Sequence, residues 1–531
     1  LETIAAGPMS ALALLLLVLD GLMAASEASL AATPPMGYNT WNDLECRPSE
    51  DKLRGIAQRL KESGLLQKGY QYLVVDDCWM EGARDTTGRL GASKKYFPSG
   101  MAAMADSAHS LGFKFGIYTS RGATTCVGLP ASLSHEEIDA ATFAGWGIDF
   151  LKNDGCGDPV CNPGTGPCTR ERRQTVLKRY IAMREALNRT GRPIVHSICG
   201  WNPWYAPVGR HLGEMWRVGA DVRDWPGVYE AARIMEQLGE FHGHSGWNDP
   251  DMLIGSSPGA KLSLTPLQAR AQFSLWAVMG APLMIGSSVL HMSAFDLETY
   301  GNIEAIAVNQ DPLGRPARLA FSNCPRYPEF RWAFAADGAL EFEVDGTGQE
   351  ELEEAVSCGG HRASSCAECS SGQGRAWCNG DCEWFVGLPS SAGRCIAKAQ
   401  ALSQAPRLPL AERPDPWTRP AFRRPAARQC QQVWVRHLSD GRVALAAVNF
   451  GDVEAELRLP LASLGLPWRD KKGLRAEVWN LWRPPVATAA DEAHGEAKSP
   501  RVVFDELHLI LIAAGGHALL RLRSVVELEE L

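Results

Sequence analysis

Leu151-Lys152-Asn153-Asp154-Gly155-Cys156 and Trp216-Arg217-Val218-Gly219-Ala220-Asp221 each place an aspartate two or four residues after a cation. Both segments continue apolar runs too short for helices, which read as strands buried on both faces. Six more runs of this kind surround them. The full set of expected strands is Met36–Trp41, Tyr72–Trp79, Lys114–Thr119, Asp149–Asp154, Ile194–Trp201, Met215–Asp221, Gly246–Leu253 and Pro282–Ser288. Helical patterns separate them. Leu53, Ile56 and Leu60 share one helix face before Gly64, Ser134 and Glu137 predict a capping box, and Gln268 to Met279 reads as a nearly all-apolar helix. Eight alternating units predict an α/β chain, with a (β/α)8 TIM barrel over residues 32–317. Polar and aromatic residues cluster at the C-terminal ends of the strands, where such barrels build their sites.

Beyond residue 317 the pattern changes. Val453 to Leu459 alternates strictly, Asp440-Gly441 reads as a hairpin turn, and Leu507 to Ile512 and Ala518 to Leu522 add strands. The expectation for 318–531 is an antiparallel β-sandwich domain. It is interrupted by a Cys-rich insert at about 355–396 and a Pro-rich linker at about 405–427. The insert is expected to be a disulfide-braced loop. No internal repeat is present.

The 531 residues exceed one core, and a net charge of -8 argues against nucleic acid or an anionic membrane as partner. The apolar run Ala11–Leu19, with Ser29-Leu30-Ala31 after it, reads as a signal peptide over residues 1–31. No stretch is long enough to span a bilayer. With fifteen cysteines and the sequon Asn188-Arg189-Thr190, this predicts a secreted or lysosomal/vacuolar glycoprotein. Cys161 and Cys168 close a short loop, Cys324 and Cys430 bracket the insert, and Cys199 is left odd as a buried free thiol.

The chemistry rests on carboxylates. A lone aspartate is usually a surface group, but Asp154 and Asp221 end two different barrel strands. Two carboxylates facing one pocket suffice for retaining glycoside hydrolysis. Lys152, on the same strand face as Asp154, is expected to hold it ionised as nucleophile, while Asp221 protonates the leaving oxygen. Asp76-Asp77 and Asp249-Pro250-Asp251 could bind a hard cation or accept sugar hydroxyls. The nearby Trp41, Trp79 and Tyr118 favour the sugar. His196, His242 and His244 lack zinc-ligand spacing beyond a weak His-x-His, so no metal is expected.

Thr33-Pro34-Pro35-Met36-Gly37-Tyr38-Asn39-Thr40-Trp41, Val75-Asp76-Asp77-Cys78-Trp79, Gly116-Ile117-Tyr118, Lys152-Asn153-Asp154-Gly155-Cys156, Gly246-Trp247-Asn248-Asp249-Pro250-Asp251-Met252 and Asn309-Gln310-Asp311-Pro312-Leu313-Gly314 are motifs in a shared order. Together they resemble glycoside hydrolase family 27, the α-galactosidases and α-N-acetylgalactosaminidases. The resemblance is close over 33–318 and weak over 431–523. It implies a double displacement without metal or cofactor, with Asp154 as nucleophile and Asp221 as acid/base. Implied sugar contacts are Trp41, Asp76, Asp77, Tyr118, Lys152, Arg217 and Asp251, to which Trp201 is added here. Implied disulfides are Cys46–Cys78 and Cys126–Cys156. The implied activity is release of terminal α-galactose from oligosaccharides or glycoconjugates, and a homodimer stays open.

One segment departs from the family pattern. Galactosidases of the family carry Cys-Glu-Trp after the fifth strand, whose Glu contacts the sugar 2-hydroxyl; here Cys199-Gly200-Trp201 stands instead. Gly200 leans toward an α-N-acetylgalactosaminidase or another galacto-configured glycosidase. Trp204 is expected to refill the space and stack on substrate. The intact Asp76-Asp77 pair favours a hexose over arabinopyranose. A non-catalytic glycan-binding protein is the alternative from a different class.

Overall fold

The computed structural model describes residues 30–161, 168–244, 246–257, 260–325, 327–335, 340–344, 428–466, 474–482, 501–512 and 515–524. Between 356 and 397 it also describes four short strands, as backbone only. The expected signal peptide up to residue 29, the Pro-rich linker and most of the Cys-rich insert lie outside the described residues.

Eight parallel strands form the barrel: β1 Met36–Asn39, β2 Tyr72–Val74, β3 Lys114–Ser120, β4 Phe150–Asp154, β5 Val195–Cys199, β6 Met215–Arg217, β7 Trp247–Asp249 and β8 Leu283–Ile285. Their order in the sheet is β7-β6-β5-β4-β3-β2-β1-β8, and a parallel bridge from Leu253 to Ile285 joins the two ends. Gly37 permits the β1–β2 approach, because a Cβ there would lie 2.2 Å from the Tyr72 carbonyl oxygen.

Most strands stop sooner than the apolar runs suggest. Asp76 has already left the ladder, its N–H donating to Thr40 Oγ1 at 2.9 Å. Val218 to Asp221 likewise follow β6 as loop. Polar residues beyond the ladder therefore curl over the strand ends and form the rim of the site.

The helix Glu50–Glu62 buries Leu53, Ile56 and Leu60, and the Ser49 side chain caps it by accepting from Lys52 N–H. The helix Glu136–Gly145 corrects the expected capping box. Its N-cap is His135, without a side-chain bond, because Ser134 has φ +63° and turns out of the helix path. The apolar helix spans Pro266–Met279 and carries the capping box at Thr265 and Gln268 instead. Its apolar residues point in several directions because it packs between the barrel and the C-terminal strands, while Arg270 pairs with Glu298.

In the C-terminal domain six antiparallel strands lie in the order 501–504, 475–480, 517–524, 443–449, 431–437 and 318–322; strands 455–460 and 506–511 pair separately. Along Gln431–His437 successive residues point to opposite faces. Val433 and Val435 join Leu457 and Leu459 in a core between the two sheets, whereas Trp434 joins the barrel's core. Gly441 has φ +79° in the hairpin after Gln431–His437. Disulfides join Cys46–Cys78, Cys126–Cys156, Cys161–Cys168 and Cys324–Cys430, while Cys199 is free and buried.

Candidate active site

A pocket opens at the C-terminal ends of the strands, lined by the carboxylates, cations and aromatic rings the sequence placed there. Its charged side chains come from the even strands: Asp76 and Asp77 after β2, Lys152 and Asp154 on β4, Arg217 and Asp221 from β6. The odd strands supply weakly polar groups: Trp41 after β1, Tyr118 on β3, and Cys199 with Trp201 at β5. Alternate strands thus feed different chemistry into one layer.

Lys152 corrects one expectation. Its Nζ donates to Asp76 Oδ2 at 2.7 Å, and Asn39 Nδ2 donates to the same oxygen at 2.8 Å. The ammonium also lies 5.4 Å above the Tyr118 ring centre. Asp154 therefore shares a cation that another carboxylate already holds. Burial pushes Asp154 up to about 6, against the pull of Lys152 and of the Gly155 N–H, which donates to Oδ1 at 2.7 Å. Burial also pushes Asp77 up to about 7, with Asp76 and Asp154 adding repulsion.

Asp221 sits in the opposite field. Burial works against its charge, but Arg217 and Arg223 outweigh it and hold the carboxyl below the usual carboxylate value. Arg217 Nη2 reaches Asp221 Oδ1 at 2.9 Å, and Arg223 Nη2 reaches Oδ2 at 3.4 Å.

Asp251 lines an adjoining cavity together with Asp249, and Lys152, Cys199, Arg217 and Met252 line both it and the pocket. The Asp251 carboxylate pairs with Arg217 at 3.0 Å and accepts from Val222 N–H at 2.7 Å. Its φ of +88° is a strained value for a side-chain-bearing residue. Asp251 thus braces the arginine that faces Asp221.

Gly200 and Trp204 also depart from expectation. Neither lines the pocket. The space beside Gly200 is filled by Tyr205, and Trp204 stacks on that ring with centroids 3.9 Å apart. The histidines do not converge. His196 bonds the Leu212 carbonyl and Asn153, whereas His242 packs edge-on against Trp247.

Three pocket residues escaped sequence reasoning: Cys126, Cys199 and Met252. Cys199 ends β5, so its strand position carried the signal. Burial pushes its thiol well up, so the group is neutral. Cys126 is disulfide-bonded, with Sγ 3.5 Å from Asp154 Oδ2.

No helix among the described residues is long and apolar enough to cross a membrane. A family model for α-galactosidase A matches residues 33–311, and one for the α-galactosidase C-terminal β-sandwich domain matches 428–495. Alpha-galactosidase 3 of Arabidopsis thaliana is 42% identical over 298 residues, covering 55% of this chain and 64% of that protein. The rice α-galactosidase is 40% identical over 295 residues, covering 55% of this chain and 66% of that protein. The matched stretch thus spans less than two thirds of either relative. The crystal structure of α-galactosidase I from Mortierella vinacea superposes with a TM-score of 0.63 at 25% identity, covering 94% of this chain and 98% of that one. With the first family model spanning more than half of its length, this chain belongs to the α-galactosidase family, glycoside hydrolase family 27.

Proposed function

We propose that this protein is a retaining exo-glycosidase that releases terminal α-linked galactose from oligosaccharides or glycoconjugates. The observation that carries the reading is the convergence of Asp154 and Asp221 on one pocket rimmed by Trp41, Tyr118 and the Asp76–Lys152 pair. In this reading Asp154 attacks the anomeric carbon while Asp221 gives its proton to the departing glycosidic oxygen. A covalent galactosyl–Asp154 ester forms. Asp221 then takes a proton from water, which attacks the same carbon and frees Asp154 with the sugar's anomeric configuration retained. Asp76 and Lys152 bind ring hydroxyls through charge-assisted hydrogen bonds, and Trp41 covers an apolar sugar face. The barrel over 32–317 is the catalytic domain, and 318–531 supports it. Delivery is to the cell exterior or to an acidic lysosomal or vacuolar compartment.

The test is hydrolysis of 4-nitrophenyl α-galactoside, α-N-acetylgalactosaminide and β-L-arabinopyranoside, with Asp154→Ala alongside. Galactoside turnover that vanishes in Asp154→Ala supports the reading. Turnover of the N-acetyl substrate alone moves the enzyme to that sugar. Galactose binding without turnover of any substrate overturns catalysis in favour of a glycan-binding role.

A further inference from the structure

Beside the pocket of Asp154 and Asp221 lies another cavity, of about 270 Å³, on the same C-terminal face of the barrel. Small-ligand clefts begin at about 300 Å³, so it has room for a sugar unit and not for a folded partner. The segments that follow β1, β7 and β8 form it. A thin partition separates it from the Asp154 pocket. Trp41 and Met252 line that pocket, whereas Asn42 and Ile254, one and two residues further on, line this cavity. Gly286 closes the partition, because a Cβ there would lie 2.9 Å from Asn42 Nδ2 and 3.1 Å from Met252 Cβ. Several lining groups lack partners. Asn42 Nδ2 is buried, and nothing among the described residues accepts from it. Such a donor calls for an acceptor from outside the protein. Asp43 accepts from the Tyr38 hydroxyl at 2.8 Å with one oxygen and leaves the other to a ligand. Arg47 and His291, both exposed on the rim, make no ion pair among the described residues. Ile254 and Leu262 add apolar surface. Charge is close to balanced, since Arg47 offsets Asp43 and Lys261 pairs with Glu45. Donors, acceptors and an apolar patch without a large net charge suit a neutral polyhydroxyl ligand and not an anion.

We propose that this cavity binds a further sugar unit of the substrate, one that belongs to the chain behind the galactose to be released. The proposal rests on the galactosidase reading above. An exo-acting enzyme takes only the terminal sugar into its catalytic pocket, so any other unit held on this face is part of the aglycone. The substrate class is therefore α-galactosides of neutral oligosaccharides long enough to pass the Trp41 partition. Contact at a distance from the reacting bond adds affinity without altering the chemistry, and it does so for long glycosides alone.

The experiment compares kcat/KM on 4-nitrophenyl α-galactoside, raffinose and stachyose, which share the terminal galactose and differ in the sugars behind it. The parent protein is run beside Arg47→Ala, His291→Ala and Ala260→Trp, the last of which fills the cavity from a residue that lines it and not the Asp154 pocket. All four proteins should hydrolyse the nitrophenyl glycoside within about twofold of one another. On stachyose each variant should lose about three- to tenfold, the scale of one or two hydrogen bonds, and the loss should fall on KM. A variant that is merely less stable would lose activity on every substrate alike. Equal losses on all three glycosides therefore overturn the proposal, as does an Ala260→Trp protein that matches the parent on stachyose. A parent that leaves the nitrophenyl glycoside intact fails the proposed activity and this proposal with it, a result distinct from losses that ignore the length of the aglycone.

Discussion

The ends of the fourth and sixth strands carry the same acid in opposite fields. Asp154 is buried, and the Asp221 side chain is 21% exposed. Asp154 has one nearby ammonium, and Asp76 holds it at 2.7 Å. Asp221 touches two guanidinium groups. Burial therefore wins at β4 and charge wins at β6, and the two carboxyls separate, one near 6 and the other below 3.8. Sharing of cations and depth act in the same direction to set the difference. Between those values the pair holds a single proton, and it rests mostly on Asp154. The proposed chemistry needs it on Asp221, so the productive form is the less populated of the two arrangements.

The largest break in this comparison comes from removing Asp154. Asp154→Gly should lower kcat on the order of 10⁴-fold or more, the scale of losing a covalent nucleophile. Azide should restore turnover with β-galactosyl azide as product, identified by NMR. Asp221→Ala should cost about 10²–10⁴-fold, more for a sugar leaving group than for nitrophenolate, because a poor leaving group depends more on the proton. A comparison of kcat/KM on the two substrates checks it. The pH profile of kcat/KM should be bell-shaped. Its alkaline limb should fall near pH 6, where the pair loses its last proton, and its acid limb below the ordinary carboxylate range, where both groups are protonated. The smallest effect sharpens the contrast. Arg223→Met removes one of the cations beside Asp221 and raises its pKa. Half a unit would shift the proton toward Asp221 by about threefold. The plateau of kcat/KM should rise to match, and the acid limb should move up; a plateau that falls would remove this account of the field.

The barrel was legible because its strands are short, apolar and buried on both faces, and because polar residues at their ends announce the rim. Asp154 and Asp221 were found in this way, as were the contacts clustered near them. What the sequence concealed depends on packing between segments. Lys152 stands two residues from Asp154 on one strand face, yet it turns to Asp76 on a neighbouring strand. The space beside Gly200 looked open because the ring that fills it, Tyr205, arrives from the short 3-10 turn Pro203–Val208, which has no periodic signature. Ser134 looked like a helix cap because residue types alone do not reveal a positive φ. Asp251 pairs with Arg217 across neighbouring strands, a contact its own motif does not announce.

Six carboxylates, Asp76, Asp77, Asp154, Asp221, Asp249 and Asp251, surround Lys152 and Arg217 in the two adjoining cavities. Folding such a surplus of like charge makes several of these carboxyls better bases. Burial leads the causes that push Asp77 up to about 7, and Asp154 and Asp251 up to about 6, against 3.8 for a free aspartate. By linkage these three carboxyls contribute stability that declines as pH rises from about 4 to 7, whereas burial holds His196 and His242 down to about 3 and His517 down to about 4, so the histidines contribute stability that is lost as pH falls below 6.5. Among the carboxyls Asp221 works the other way, losing its contribution only below 3.8 as its charge is neutralised. Acidification toward pH 4 thus favours the folded state at the carboxyls of the site and opposes it at the buried imidazoles. Carboxyls that take up protons on folding and imidazoles that release them link the molecule's endurance and its turnover to the acidity of its surroundings.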